Sequence, residues 1–274
     1  MKNGIIIPCY NEAKRLDTKA FVNFISNETD YHLCFVNDGS KDNTIEVLRQ
    51  IQQQCPEAVS IVDVKRNVGK AAAVRAGARY LYNRGDMTTI GFIDADLSTD
   101  FRDFKQLVKT LKEGQHLSVF FGSRNSGGDG IERDGFRKLM SNMVKFCIKI
   151  ILGMPIMDTQ CGAKVFSRNM IPVLYGDPFI SRWLFDVEIF LRMKRMFGKR
   201  NAIKMMQEQP LMRWVHVEDS KLSFKDSIKI PLMLSKIWMQ QVMMYQFKLI
   251  RPTAEMSLQY EVLVSEAAPL AVAA

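Results

Sequence analysis

The chain has 274 residues, 47% hydrophobic and 24% charged, which is ordinary for a globular protein and long enough to bury a substantial core. The formal net charge of +9 is not ordinary, and points to anionic partners: nucleic acid, nucleotide phosphates or an acidic membrane surface. No run reaches the roughly 18 uncharged apolar residues a membrane span needs, and the five scattered cysteines (Cys9, Cys34, Cys55, Cys147, Cys161) fit neither a zinc site nor a disulfide framework.

The opening Met1-Lys2-Asn3-Gly4 runs straight into an apolar stretch and is expected not to be a signal peptide. Ile5-Ile6-Ile7 reads as a buried strand ending in the turn Pro8-Cys9-Tyr10-Asn11-Glu12. A helix over about 18–26 and a strand over 33–36 follow, the strand running into Asn37-Asp38-Gly39-Ser40-Lys41-Asp42. Asp42 or Asn43 can cap the helix that continues to about Gln54. A third strand over 59–64 leads through Arg66-Asn67-Val68-Gly69-Lys70 into an alanine-rich helix reaching about Asn83. Strands alternating with helices at this spacing predict an α/β fold with a parallel sheet and right-handed crossovers. In such sheets ligands bind beyond the carboxyl ends of the strands, and each polar cluster falls at one.

The fourth strand, over 89–93, carries Asp94-Ala95-Asp96 at its end. Strand alternation predicts that Asp94 and Asp96 point the same way, with Ala95 opposite. Two carboxylates so close repel unless a cation lies between them, and Mg²⁺ or Mn²⁺ suits oxygen ligands shared with water and phosphate. An isolated Asp-Xaa-Asp is more often a polar turn; its position among the other clusters is what raises it above that reading.

In the second half, 119–122 reads as a strand ending at Ser123-Arg124. A glycine stretch, Ser126-Gly127-Gly128-Asp129-Gly130, precedes a helix over about 136–152 whose Lys138, Lys145 and Lys149 form one stripe on an apolar cylinder. The pattern returns over 227–251, with Lys229, Lys236, Gln240 and Arg251 against Leu234, Ile237, Trp238 and Phe247. Both helices fit core packing with a solvated edge; the lysines, Trp238 and net charge together favour a membrane interface. Residues 252–274 carry no readable signal.

The clusters Pro8–Glu12, Asn37–Asp42, Arg66–Lys70 and Asp94–Asp96 occur in the order and spacing of the family 2 inverting glycosyltransferases, which the chain resembles. Gly122-Ser123-Arg124, Asp158-Thr159-Gln160-Cys161-Gly162 and Trp183-Leu184-Phe185-Asp186-Val187-Glu188 are similar to the branch that glycosylates polyprenyl phosphates, the dolichyl-phosphate mannose synthases and glucosyltransferases. The resemblance covers roughly residues 4–230. It implies a GT-A fold: a Rossmann-like, mostly parallel central sheet flanked by helices, here with C-terminal amphipathic helices. Pro8, Tyr10, Glu12 and Asp38 are then expected to bind the nucleoside, with Gly69 and Lys70 near it. Asp94 and Asp96 are expected to handle a Mg²⁺ or Mn²⁺ cofactor and the diphosphate. Ser98 stands where mannose synthases of this branch often carry a glutamine metal ligand.

The expected organisation is a catalytic domain over 1–222, its nucleotide-sugar half at about 1–100 and its acceptor half at about 101–222. Interface helices over 223–251 and a tail over 252–274 follow. The expected reaction moves a hexose from a nucleotide sugar, UDP-glucose or GDP-mannose, to a polyprenyl phosphate. The expected place is the cytoplasmic face of a membrane, with the protein peripheral on an anionic surface. Arg124 and Arg137 (or Lys138) are candidates to grip the acceptor phosphate, because arginine binds phosphate bidentately and stays charged. Asp158 is a candidate to orient the acceptor, or to act as base if the acceptor is a hydroxyl; a cap or turn role is the plainer alternative. Trp183 is a candidate wall of the acceptor channel, and Asp186 and Glu188 suit a helix start. His32, His116 and His216 are isolated and read as surface or packing residues. A transferase elongating a saccharide hydroxyl is the nearer alternative. A non-catalytic nucleotide or nucleic-acid binder is the farther one, and no nucleic-acid module is recognisable. A homo-oligomer is among the expected assemblies.

Overall fold

The computed structural model describes residues 1–124, 135–213, 224–240 and 260–263. Four βα units open the chain. They are β1 (Lys2–Cys9) with α1 (Thr18–Asn27), β2 (Tyr31–Asp38) with α2 (Thr44–Gln54), β3 (Val59–Val64) with α3 (Lys70–Arg84), and β4 (Met87–Phe92) with α4 (Phe101–Glu113). Each of these strands is largely buried on both faces, which is why apolar residues dominate its centre without strict alternation. The chain continues as β5 (Val119–Ser123), α5 (Gly135–Leu152), β6 (Lys164–Ser167), a 3₁₀ turn at Arg168–Met170, α6 (Ile171–Tyr175), α7 (Phe185–Lys204), β7 (Met206–Pro210), α8 (Phe224–Trp238) and β8 (Tyr260–Leu263).

The described strands form one sheet in the order β7-β5-β6-β4-β1-β2-β3-β8. Strands β1 to β4 are mutually parallel, as is the β5–β7 pair, while β6 and β8 run antiparallel to their neighbours. The expected mostly parallel α/β architecture is therefore the one observed. One apolar core lies on the α3–α6–α7 face, including Val36, Val74, Phe92, Phe185 and Phe190. The other, on the α1–α2–α4 face, includes Phe21, Phe35, Ile51, Phe104 and Leu107.

Two expectations need correction. Strand β4 ends at Phe92, so the Asp pair does not follow strand alternation. It lies in a turn closed by the Leu97 N–H on the Asp94 carbonyl, with Leu97 at φ 50°. The tail, in which no element was legible, contributes β8, paired with β3 through Asp63–Glu261 and Val64–Tyr260.

The helix expected over 227–251 is described over Phe224–Trp238; residues 241–251 lie outside the described chain. One side of α8 docks on the protein, with Leu234 and Ile237 buried in the same core as Ile148 and Leu152 of α5. Leu232, Trp238 and Lys236 are exposed, as are Met143, Lys145, Phe146, Lys149 and Ile150 of α5. The glycine stretch 126–130 and His216 lie outside the described residues. His116 is exposed, whereas His32 is buried against the Ser60 hydroxyl at 2.8 Å, and burial pushes its pKa down to about 3. Among the described residues, no helix is long and apolar enough to cross a membrane.

Candidate active site

Parallel register brings the first three polar clusters together at the carboxyl edge of the sheet. The Asn11 N–H donates to Ser40 Oγ (3.0 Å), and Asn11 Oδ1 accepts from the Lys41 N–H (2.8 Å), stitching the turn after β1 to the turn after β2. The Glu12 N–H reaches Thr44 Oγ1 at 2.8 Å, and Asp42 receives the N–H groups of both Ala13 and Thr44. Asp42, rather than Asn43, thus satisfies the start of α2. Pro8 lies at the end of β1 beside Val36, and Tyr10 is half-buried in the turn beyond it.

Asp38 is almost fully buried, and its two oxygens accept from the Val68 N–H (2.9 Å) and the Gly69 N–H (2.8 Å). Burial raises its pKa, against the opposing pull of those two N–H groups. Its carboxylate therefore shapes the loop before α3. Gly69 sits at φ 100°, where Arg182 packs so closely that a Cβ would fall 2.7 Å from Arg182 Nε. Arg182 holds the opposite side of that loop, donating to the carbonyls of Val68 (3.1 Å) and Asn67 (3.2 Å). Sequence reasoning missed Arg182, although it immediately precedes Trp183. Trp183 keeps 38% of its surface exposed on the same segment.

Lys70, the first residue of α3, forms an ion pair with Asp94. Burial disfavours its charge, but Asp94, Asp186 and Asp96 outweigh that and hold its pKa above the ordinary lysine value. The other side of Asp94 meets Gly162, where any Cβ would collide with the carboxylate. Asp96 accepts from the Ser98 N–H at 2.9 Å, and Arg15, a cation the sequence reading did not single out, lies 3.9 Å from its other oxygen. The Asp94 and Asp96 side chains keep 29% and 26% of their surface exposed. Among the described residues no three or more His, Cys, Asp and Glu side chains group as a metal cage. Two accessible carboxylates are nonetheless the hard-oxygen set that a Mg²⁺ or Mn²⁺ sharing its shell with phosphate and water requires, so the residues present fit the ion.

Beyond β5, Arg124 and Asp158 meet. The Arg124 Nε lies 2.6 Å from Asp158 Oδ2 and Nη2 lies 2.7 Å from Oδ1, and the Arg124 backbone N–H donates to Oδ2 as well at 3.1 Å. The Gln160 N–H adds a fourth contact to the same carboxylate at 3.1 Å. Burial opposes the Asp158 charge, yet Arg124 prevails and holds its pKa below the ordinary value. Arg137 and Lys138 fall in the first turn of α5, whose side chains lie outside the described residues.

The site's loops share one device, in which a single carboxylate takes two successive backbone N–H groups. Asp38 does this for Val68 and Gly69. Glu188, expected only to favour a helix dipole, does it for Ile180 (3.0 Å) and Ser181 (2.9 Å). Glu208 on β7 does it for Met157 (2.8 Å) and Asp158 (2.7 Å), and Asp103 on α4 for Met212 (2.8 Å) and Arg213 (3.2 Å). Hydrogen bonds to a charged acceptor contribute about 1.5–3 kcal/mol each, enough to fix a loop that lacks ladder partners.

A sequence profile of the family described as Glycosyl transferase family 2 matches residues 4–172. A dolichyl-phosphate beta-glucosyltransferase of Trichomonas vaginalis is 30% identical over 245 residues, covering 85% of this chain and 69% of that protein. A protein of the same name from Drosophila melanogaster is 31% identical over 253 residues, covering 86% of this chain and 74% of that one. Among solved structures, glucosyl-3-phosphoglycerate synthase from Mycobacterium tuberculosis, in complex with Mn²⁺, UDP-glucose and phosphoglyceric acid, superimposes with a TM-score of 0.61. The match spans 86% of this chain and 79% of that one at 14% identity, a likeness of fold.

Proposed function

The chain belongs to glycosyl transferase family 2, and from that premise we propose that it transfers glucose from UDP-glucose to a dolichyl or related polyprenyl phosphate. The names of its relatives support the acceptor and the sugar, and a UDP-glucose-bound neighbour of the same fold supports the nucleotide. The observation that carries the reading is the state of Asp158. A saccharide hydroxyl needs a carboxylate to take its proton, and Asp158 has both oxygens engaged and a lowered pKa. Asp186 and Glu188 are engaged as well, with Lys164 and with backbone N–H groups. A phosphate monoester, whose second pKa is about 6, is already a dianion at neutral pH and needs no base.

In this reading Pro8, Tyr10, Glu12 and the loop shaped by Asp38 seat the nucleoside, and Lys70 faces the diphosphate. Asp96, with Asp94, would hold Mg²⁺ or Mn²⁺, which when bound offsets charge on the departing diphosphate. An acceptor phosphate oxygen attacks the anomeric carbon as the bond from that carbon to the diphosphate oxygen breaks. The electron pair leaves with UDP and the configuration inverts. Arg124, locked to Asp158, keeps a fixed cation on the acceptor side, with Arg137 and Lys138 as further candidates and Trp183 as a candidate channel wall.

We assign residues 1–222 to the catalytic domain and 223–251 to a membrane-interface segment, on the cytoplasmic face of a membrane. Support comes from Met143, Phe146 and Ile150 exposed beside Lys145 and Lys149, and from Leu232 and Trp238 exposed beside Lys236. The test supplies UDP-glucose or GDP-mannose with either a short prenyl phosphate or a saccharide. Glucosyl prenyl phosphate is the expected product; transfer to the saccharide alone would overturn the reading.

A further inference from the structure

Two lysines, each paired with an aspartate, approach one aromatic ring beneath the site. Lys70 Nζ lies 5.7 Å and Lys164 Nζ 5.3 Å from the centre of Phe92, both within cation–π range. Lys70 pairs with Asp94 at the site's surface, and Lys164 lies 2.7 Å from Asp186 Oδ1 in the interior. Lys164 has no exposed surface, and the Asp186 side chain keeps 6%. Lys164 also donates to the Cys161 carbonyl at 2.7 Å.

Stability alone gives a poor reason for such a pair. Replacing a buried ion pair with apolar residues of similar volume is often neutral or stabilising, because desolvation offsets the attraction. The Lys164–Asp186 contact is close but not aligned as a hydrogen bond, so Asp186 Oδ1 is left without a directed donor. We propose that Asp186, held by Lys164, is a positioning residue for Lys70, keeping that ammonium at the mouth of the site where the donor's diphosphate arrives. The proposal rests on the donor reading above.

Without Asp186, two ammonium groups would flank Phe92 with only Asp94 to balance them, and Lys70 would be driven toward solvent. With it, the Asp94–Lys70 and Asp186–Lys164 pairs place one carboxylate beside each ammonium at Phe92, and Asp186 also acts on Lys70 through space. An incoming diphosphate then competes with Asp94 for Lys70 while Asp186 keeps its hold from below. Both carboxylates help to keep Lys70 charged despite its burial, while burial raises the Asp186 pKa against the opposing pull of Lys164 and Lys70.

The experiment measures UDP affinity with Mg²⁺ by calorimetry and the thermal midpoint of the ligand-free protein. Asp186→Asn should weaken UDP binding roughly ten- to a hundredfold, the range of one charge-assisted contact. The paired change Asp186→Asn with Lys164→Met removes both buried charges, and should restore the thermal midpoint while UDP binding stays weak. Asp186→Glu, which keeps the charge, should recover part of the affinity that Asp186→Asn loses. Recovery of both midpoint and UDP affinity in the paired variant would show that the ion pair serves only the core, and would overturn the proposal, as would Asp186→Glu binding no better than Asp186→Asn. Wild-type binding of UDP-glucose tests the donor reading separately, so the two can fail independently.

Discussion

Arg124 grips Asp158 with two guanidinium nitrogens, at 2.6 and 2.7 Å, across 34 positions of sequence. A residue expected to hold the acceptor phosphate and a residue considered as its base are thereby one unit. Each limits what the other can do. The aspartate has both oxygens engaged, and the arginine is held in one position.

Arg124→Ala leaves a carboxylate buried without its partner. The expected destabilisation is toward the lower end of the roughly 3–5 kcal/mol typical of broken buried pairs, since the Arg124 side chain keeps 34% of its surface in solvent. Use of prenyl phosphate should fall about ten- to a hundredfold, with donor affinity nearly unchanged. Steady-state kinetics in each substrate, beside a melting curve, checks this; an equal loss for donor and acceptor would remove Arg124 from the acceptor side.

The same pair sets a pH dependence. Asp158 has a lower pKa folded than unfolded, so its contribution to stability is complete above the ordinary carboxylate range and is lost as pH falls through the folded value. Wild type and Asp158→Asn should therefore differ most above the ordinary carboxylate range, and the difference should shrink as pH falls below that range. Urea midpoints across that range check it, and a constant difference would contradict the assignment.

Asp96→Ala should abolish transfer. Excess chelator should silence the wild type until Mg²⁺ or Mn²⁺ is returned, a radiolabel transfer assay being sufficient. Full turnover in chelator would remove the ion from the mechanism.

Glu208→Ala should release Met157 and Asp158 from their common acceptor. The expected result is a raised KM for prenyl phosphate with UDP affinity unchanged, because Glu208 grips the loop carrying Asp158, which the proposed reading puts on the acceptor side. A matching loss of UDP binding would show instead a general loosening of the fold.

Phe146→Ser combined with Ile150→Ser should weaken flotation with anionic vesicles, and added salt should weaken it further through the exposed lysines. Undiminished flotation of the double variant would take α5 out of the membrane account.

Strands β1 to β4 were legible because each is a short apolar run stopping at a polar cluster. The same signal fails later in the chain. Strand β6 begins with a lysine that is wholly buried against Asp186, and β7 reads Met-Gln-Glu-Gln-Pro, with no apolar alternation. Strand β8 lies in a tail whose role is set by the edge of β3 and not by its own pattern. Asp94 and Asp96 were identifiable as types at a strand end, but the turn at Leu97 that orients them was not. No spacing rule links Arg124 to Asp158 or Arg182 to Asn67, because only the folded sheet brings those segments together.

Where one carboxylate fastens one loop by two N–H groups, each loop is held at its own point. Losing Glu208 would release the Met157–Asp158 loop and leave the contacts of Asp38, Glu188 and Asp103 in place. Each such loop can be altered through its own carboxylate while the fastenings of the other three stay as they are.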